Sequence, residues 1–274
     1  MFDLAALEAE LASTMFAGNL HFSPVTGSTN SDAMAAARDG APHGAVFFAD
    51  EQTAGRGRGD HAWHSAPGEG LYVSVLLRLD LAPAFLPLLP LAAGLAAVDA
   101  ILAVTGLIVD LRWPNDLLLG ARKTGGILVE AQSQAQTQAQ PEAAARAFAV
   151  VGIGINVHQR SFDPGLATPA TSLDLEAGYV FGQRTSRQAL LTGLLKSLER
   201  EIRGLLDPAV RLTIPARVEK ASTWVRDRLV EVHGPQAFTG TTEGLNEHGF
   251  LLLRTDQGMV QVQTGGIREA AVSS

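Results

Sequence analysis

The chain has 274 residues, 46% of them hydrophobic and 18% charged, which are the proportions of a packed globular protein and exclude a disordered or fibrous one. Lysine and arginine number 21 against 28 aspartates and glutamates, so the net charge of −7 has the wrong sign for a dedicated nucleic-acid binder, and no DNA partner is expected. There is no cysteine, which removes disulfides, thiolate nucleophiles and cysteine-ligated metals and fits a cytoplasmic location.

Met1 to Phe16 is acidic and lacks the basic region of a signal peptide, so a short helix is expected there. Gly18, Asn19 and Pro24 read as turn signals. Ser28, Thr29 and Asn30 then stand as candidate N-caps of an Ala-rich helix that Gly40 and Pro42 stop. Residues 45–50 predict a buried strand, 51–70 a long aperiodic loop, and 71–80 a second strand. Residues 81–98 are uncharged and touch the lower length limit of a membrane span. Pro83, Pro87 and Pro90 break the first half of that stretch, and Asp80 and Asp99 flank it. A buried helix from about Pro90 to Val104 is expected instead, with no membrane contact.

Residues 106–113 predict a strand ending at Pro114, with Asn115 and Asp116 on the turn beyond it. Two more strands are predicted at 125–132 and 148–157, and the Gln/Ala-rich stretch 131–146 reads as a shapeless hairpin tip. Leucines at helical spacing mark 186–205 as a helix packed on the sheet. After Trp224, short runs punctuated by Gly234, Gly244, Gly249, Gly258 and Gly265 predict a small β-barrel. The boundary is placed near residue 220, giving domains 1–220 and 221–274. Strands and helices mix without regular βαβ alternation, so the class expected is α+β.

Four segments carry candidate chemistry. Gly55-Arg56-Gly57-Arg58-Gly59 combines a backbone free to curl around a ligand with forked donors for phosphate or carboxylate; a solvated surface loop would look the same. In residues 112–130, Asn115 and Asp116 follow Trp113-Pro114, and Lys123 precedes Gly125-Gly126, where an ammonium faces bare backbone. Turn chemistry alone would also explain the Asn-Asp pair. Gly152 and Gly154 in GIGIN admit a close neighbour or serve tight sheet packing, and Ser28-Thr29-Asn30 suits an anion site or an ordinary cap. Neither GxxxxGK[ST] nor a complete GxGxxG occurs.

Taken together and in order, GRGR with Trp63 and Ser65, GLYVSVLLR, WPND, KTGGILVE, GIGINV and the terminal NEHGFLLLRTDQG and TGGI resemble the biotin protein ligases from about residue 24 onward. The resemblance implies a class II synthetase-like α+β catalytic domain with a mixed sheet and packed helices, followed by an SH3-like barrel. It implies a biotin–[acetyl-CoA-carboxylase] ligase that uses ATP with Mg²⁺ to form biotinyl-5′-AMP, then transfers biotin to a lysine of a biotin carboxyl carrier protein. The family pattern assigns Ser28, Thr29, Gln52, Arg56, Lys123, Gly125, Gly126 and Gly154 to biotin. It assigns Arg58, Trp63, Asn115, Lys123 and Asn156 to ATP or the adenylate, and Arg58, Lys123 and Asp116 to catalysis. Asp60 departs from a run that is often basic in the family, which weakens the expected grip on the adenylate. Only about 20 residues precede the catalytic segment, so a ligase without a repressor module is expected. A homodimer is left open. The alternatives are a lipoate- or octanoate-transferring relative on the same scaffold and a non-catalytic biotin sensor.

Overall fold

The computed structural model describes residues 2–59, 61–132, 148–177, 184–234 and 237–270. The chain begins with α1 (Leu4–Leu11), β1 (Leu20–Thr26), α2 (Thr29–Arg38), β2 (Val46–Gln52) and β3 (Gly70–Leu77). It continues through α3 (Leu88–Thr105), β4 (Asp110–Arg112), β5 (Asp116–Leu119), β6 (Arg122–Gln132) and β7 (Phe148–Asn156). These strands make one mixed sheet in the order β1-β2-β3-β7-β6-β5-β4. The β1–β2 pair is parallel and the other neighbouring pairs are antiparallel.

Strand alternation divides this sheet into a structural face and a working face. Leu71, Val73, Val75 and Leu77 of β3, Ile127 of β6, and Val151, Ile153 and Ile155 of β7 enter the main apolar core. That core is closed by α3 and by α5 (Arg187–Leu206), which follows the short α4 (Leu173–Ala177). On the other face, Ala33 and Ala37 of α2 pack on Leu76, Phe148 and Val150. The remainder of that face presents Ser74, Gly126, Glu130, Gly152, Gly154 and Asn156, and a small or polar set of this kind leaves room above the strands.

By length and composition α3 is apolar enough to cross a bilayer, but most of its side chains are buried between the sheet and α5. Apolarity on all sides is what a core helix requires. It starts two residues before Pro90, which falls in the first turn, where a missing N–H costs nothing. Gly106 caps its end at φ +73. The strand expected from 106 is therefore shorter, Asp110–Arg112.

Two further expectations are corrected. Pro24 lies inside β1; as an edge strand, β1 loses no ladder bond there, and the register steps from Ser23–Ala49 to Val25–Glu51. Asp116 is not on the turn but opens β5. The hairpin-tip reading of 131–146 falls almost wholly outside the described residues, as does Asp60.

Beyond α6 (Pro208–Arg211) and α7 (Ile214–Lys220), β8 (Arg226–His233), β9 (Phe238–Leu245), β10 (Leu251–Thr255), β11 (Gly258–Val262) and β12 (Gly266–Glu269) form a separate antiparallel sheet. Its order is β11-β10-β9-β8-β12, as expected of an SH3-like unit. The two sheets share one apolar cluster, because Val230, Val232, Leu251, Leu253 and Ile267 join the core that contains α3. Trp113 Nε1 donates to the Gly249 carbonyl at 3.0 Å, and Leu111 N donates to Ala221 O at 2.9 Å.

Candidate functional site

Asp116, Gly126, Gly154 and Tyr72 lie in one register row across β5, β6, β7 and β3. A β-bulge interrupts the β5–β6 pairing next to this row: Leu117 pairs with Gly125, but Leu118 pairs with Lys123, leaving Thr124 extra. One extra residue reverses the side-chain parity of the strand. Lys123 is thereby turned onto the face that Asp116 occupies, and its Nζ lies 2.6 Å from Asp116 Oδ1. The bulge is what converts "lysine before two glycines" into a lysine above them.

Asp116 has a second partner. Arg112 Nε and Nη2 both donate to Asp116 Oδ2, at 3.1 and 2.6 Å, and Nη2 also donates to Thr168 Oγ1 at 2.9 Å. Burial pushes the Asp116 carboxyl upward, but Lys123 and Arg112 together hold it below the usual carboxylate value. Burial pulls the Arg58 guanidinium below its usual value, against the field of Asp116, which raises it. Arg58 donates through Nη1 to the Gly265 carbonyl, so a residue of the glycine-rich loop is tied to the second sheet.

A connected polar chain runs along the neighbouring floor. Gln52 Nε2 donates to Ser65 Oγ at 2.7 Å, and Gln52 Oε1 accepts from Thr29 N and Thr29 Oγ1 at 2.9 and 3.1 Å. The Thr29 and Ser74 hydroxyls are 2.8 Å apart, Ser74 Oγ donates to Asn30 Oδ1, and Asn30 Nδ2 donates to Glu130 Oε2 at 2.9 Å. Arg56 closes the chain on the same Glu130 oxygen at 2.6 Å. Ser28 stands at the N-cap position of α2 but makes no capping bond, so its buried hydroxyl is not committed to the helix.

Above the floor sits Trp63. A Cβ on Gly154 would lie 2.6 Å from Trp63 Nε1, and one on Gly126 would lie 3.5 Å from Trp63 Cζ3. The indole therefore rests on bare backbone, with Lys123 Nζ 5.5 Å from its ring centre. Its Nε1 is buried without a hydrogen-bond partner among the described residues. The loop carrying it is paired with itself: Trp63 N donates to Gly55 O at 2.9 Å and Gly57 N to His61 O at 2.7 Å. Gly125 serves a different contact, where a Cβ would meet Leu117 at 2.8 Å and the Gly154 carbonyl at 2.9 Å.

Asn115 and Asn156 are engaged with protein. Asn115 Nδ2 donates to Ile127 O at 2.7 Å, while Ile127 N donates to Asn115 O at 2.9 Å. Asn156 Nδ2 donates to Thr171 O at 3.0 Å, and Asn156 is 6% exposed. Most of the residues singled out from the sequence thus gather on one face, with Asn156 at its margin, Gly125 turned to the core side and Arg58 tied to Gly265 of the second sheet. Sequence reasoning missed Arg112, Ser74 and Glu130. Ser74 was detectable as the one polar residue in the apolar run 71–77. A cleft of about 1110 Å³ between Phe2, Phe22 and α5 contains none of the predicted residues.

The biotin/lipoate A/B protein ligase family model matches residues 23–140. The biotin–[acetyl-CoA-carboxylase] ligase of Mycobacterium tuberculosis is 34% identical over 249 residues, covering 88% of this chain and 85% of that one. The bifunctional ligase/repressor BirA of Bacillus spizizenii is 32% identical over 254 residues, 91% of this chain and 73% of that one. The biotin protein ligase of Aquifex aeolicus in complex with biotin and ATP superposes with a TM-score of 0.75 at 27% identity, over 92% of this chain and 100% of that one. With identities above 30% along most of both chains and this architecture, the chain belongs to the biotin protein ligase family.

Proposed function

We propose that the chain activates biotin with ATP and transfers it to a lysine of a biotin carboxyl carrier protein. The observation that carries this reading is the union, on one sheet face, of Lys123, a glycine-floored slot and a polar chain, with Arg58 of the glycine-rich loop close enough to feel the charge of Asp116. In the first step a biotin carboxylate oxygen attacks the α-phosphorus of ATP, and pyrophosphate leaves. An anion must approach a polyanion, so positioning and charge neutralisation supply most of the catalysis. Lys123, above Gly126, and Arg58 are the neutralising groups. Ser28, Thr29, Gln52 and Arg56 suit the ureido group of biotin, which needs donors and acceptors together. Gly126 and Gly154 floor the slot for its ring and chain, and Gly125 sets the strand spacing beneath them. Trp63, Asn115 and Asn156 are assigned to the adenine side.

In the second step the acceptor amine attacks the acyl carbon, and AMP leaves. Asp116 is held ionised, so it is better suited to attract and orient the incoming lysine than to act as a strong base. The Trp63 loop covers the glycine floor, so it must lift for biotin to enter and then close to keep water from the mixed anhydride. Among the described residues, no three His, Cys, Asp or Glu side chains converge on a point. Mg²⁺ would arrive with the ATP phosphates and help to neutralise them.

The matched family also includes lipoate ligases, but the relatives named above are biotin ligases. A passive biotin sensor would have no use for a phosphate-neutralising pair such as Lys123 and Arg58. Incubation with biotin, ATP, Mg²⁺ and a purified biotin carboxyl carrier domain should add one biotinyl group to one carrier lysine, as read by mass spectrometry. An unmodified carrier alongside normal adenylate formation would confine the function to activation.

A further inference from the structure

We infer that Arg112 is a positioning residue that keeps Asp116 ionised and oriented when Lys123 leaves it for the ligand. The inference rests on the proposed ligase reaction and assigns a role to a residue that makes no contact with the glycine slot. Asp116 divides its oxygens between two cations. Oδ1 faces Lys123 at 2.6 Å, and Oδ2 receives both Nε and Nη2 of Arg112. Lys123 is the mobile member, because its ammonium ends a flexible stem and its side chain remains 28% exposed. Arg112 is fixed. Its side chain is 9% exposed, Thr168 takes its remaining Nη2 bond, and its guanidinium lies 5.3 Å from the centre of the Trp224 ring. Arg228 approaches the same ring at 3.8 Å, and Thr223 binds Asp110 of β4, so the strand bearing Arg112 is anchored to the start of the second sheet.

These contacts assign the two cations different duties. When Lys123 turns to a phosphate or acyl oxygen, Asp116 loses its Oδ1 partner inside a buried site. Without Arg112 the carboxylate would take up a proton more readily, since burial alone pushes it in that direction. A neutral acid would no longer attract a lysine ammonium. The groups acting on Asp116 come from three elements: Arg112 on β4, Lys123 on β6 and Arg58 on the glycine loop. His233 on β8 lies within the field of Arg112 and, with its pKa lowered by burial first and by Arg268 next, is neutral at neutral pH. Arg58 is committed to the Gly265 carbonyl, and to phosphate in the proposed complex, which leaves Arg112 as the fixed counter-charge.

Discharge of purified biotinyl-5′-AMP to Nα-acetyl-lysine amide, followed from pH 5 to 9, tests this. Biotin-dependent pyrophosphate exchange is measured alongside it. For the unaltered chain, the logarithm of the discharge rate should rise with pH at a single slope set by the free amine. Arg112→Met should slow discharge roughly tenfold or more and add a bend at mildly acidic pH, where Asp116 takes up a proton. Asp116→Asn should lack that bend with or without Arg112. Arg112→Lys keeps the charge and loses the fork, so it should restore the single slope at a reduced rate. In Asp116→Asn, the further change Arg112→Met should cost less than twofold, because a residue acting through another has nothing left to act on.

The double variant also removes the unpaired buried carboxylate, so it guards against simple misfolding, and melts of all variants accompany the assay. Additive losses, or an unmoved pH profile in Arg112→Met with exchange intact, would overturn the role of Arg112. Absence of exchange in the unaltered chain would overturn the ligase reading and this inference with it.

Discussion

At the scale of single residues, the site is made by what the glycines leave out as much as by what the polar residues supply. Gly154→Ala puts a Cβ 2.6 Å from Trp63 Nε1 and 2.7 Å from Trp63 Cε2, on a central strand that cannot retreat. The indole must leave its seat. We expect a changed tryptophan emission spectrum and at least a tenfold loss of biotin-dependent exchange, with a melting temperature within a few degrees of the parent. Unchanged emission would show that Trp63 does not rest on Gly154. Much of the residue cluster was legible before folding, because Arg56, Arg58, Lys123 and the paired glycines carry chemistry suited to an anion and stand close together in the sequence segments that meet here. Arg112 and Glu130 were not legible: their roles depend on partners four and about a hundred residues away, Asp116 and Asn30, and on a bulge no sequence pattern marks.

Among the secondary-structure elements, those with strong periodicity or apolar runs were readable: α2, α3, α5, β2, β3, β6 and β7. Missed elements were short or began on residues with turn chemistry, as β5 does at Asp116 and β1 around Pro24. Two predictions belong here. Gly193 lies inside α5, and a Cβ there would meet Ala100 Cβ at an ordinary 3.7 Å. Gly193→Ala should therefore stabilise the chain by about 0.5–1 kcal/mol, readable in urea melts; destabilisation would mean that the α3–α5 contact is tighter than described.

The second prediction concerns the connection from β7 to α4, where buried His158 Nδ1 lies 2.7 Å from Asp174 Oδ2. Burial lowers the His158 pKa below 6.5, against the opposing pull of Asp174. The unfolded chain then binds a proton that the folded chain refuses, so this contribution is complete above about pH 6.5 and is lost as pH falls through the folded value. His43 and His233 shift in the same direction, burial leading in both. The melting temperature should fall between pH 7.5 and 5.5, and His158→Gln should flatten part of that fall. A profile that rises toward pH 5.5 would reverse the assignment.

For the whole molecule, the two sheets are joined by shared apolar packing and by catalytic candidates. Arg58 reaches from the glycine loop to Gly265, Trp113 near the start of β5 donates to Gly249, and Arg112 packs on Trp224. A core continuous from α3 into β8 and β10 should unfold as one unit. Calorimetry is expected to give a single transition whose calorimetric and van't Hoff enthalpies agree; two separated transitions would mean that the second sheet is energetically independent. Adenylate chemistry would then tolerate loss of the Gly265 contact.

In the proposed reaction, one face of the large sheet activates biotin while Lys123 and Arg58 neutralise the phosphates. Exchange of labelled pyrophosphate into ATP, with biotin or lipoate as the acid, measures that step directly. Exchange is expected with biotin and none above background with lipoate. A loss of about 10²–10³-fold is expected in each of Lys123→Ala and Arg58→Ala, at nearly unchanged melting temperature. Exchange that is absent with biotin, or that persists at the parental rate in either variant, would overturn the assignment of these two residues and of the reaction.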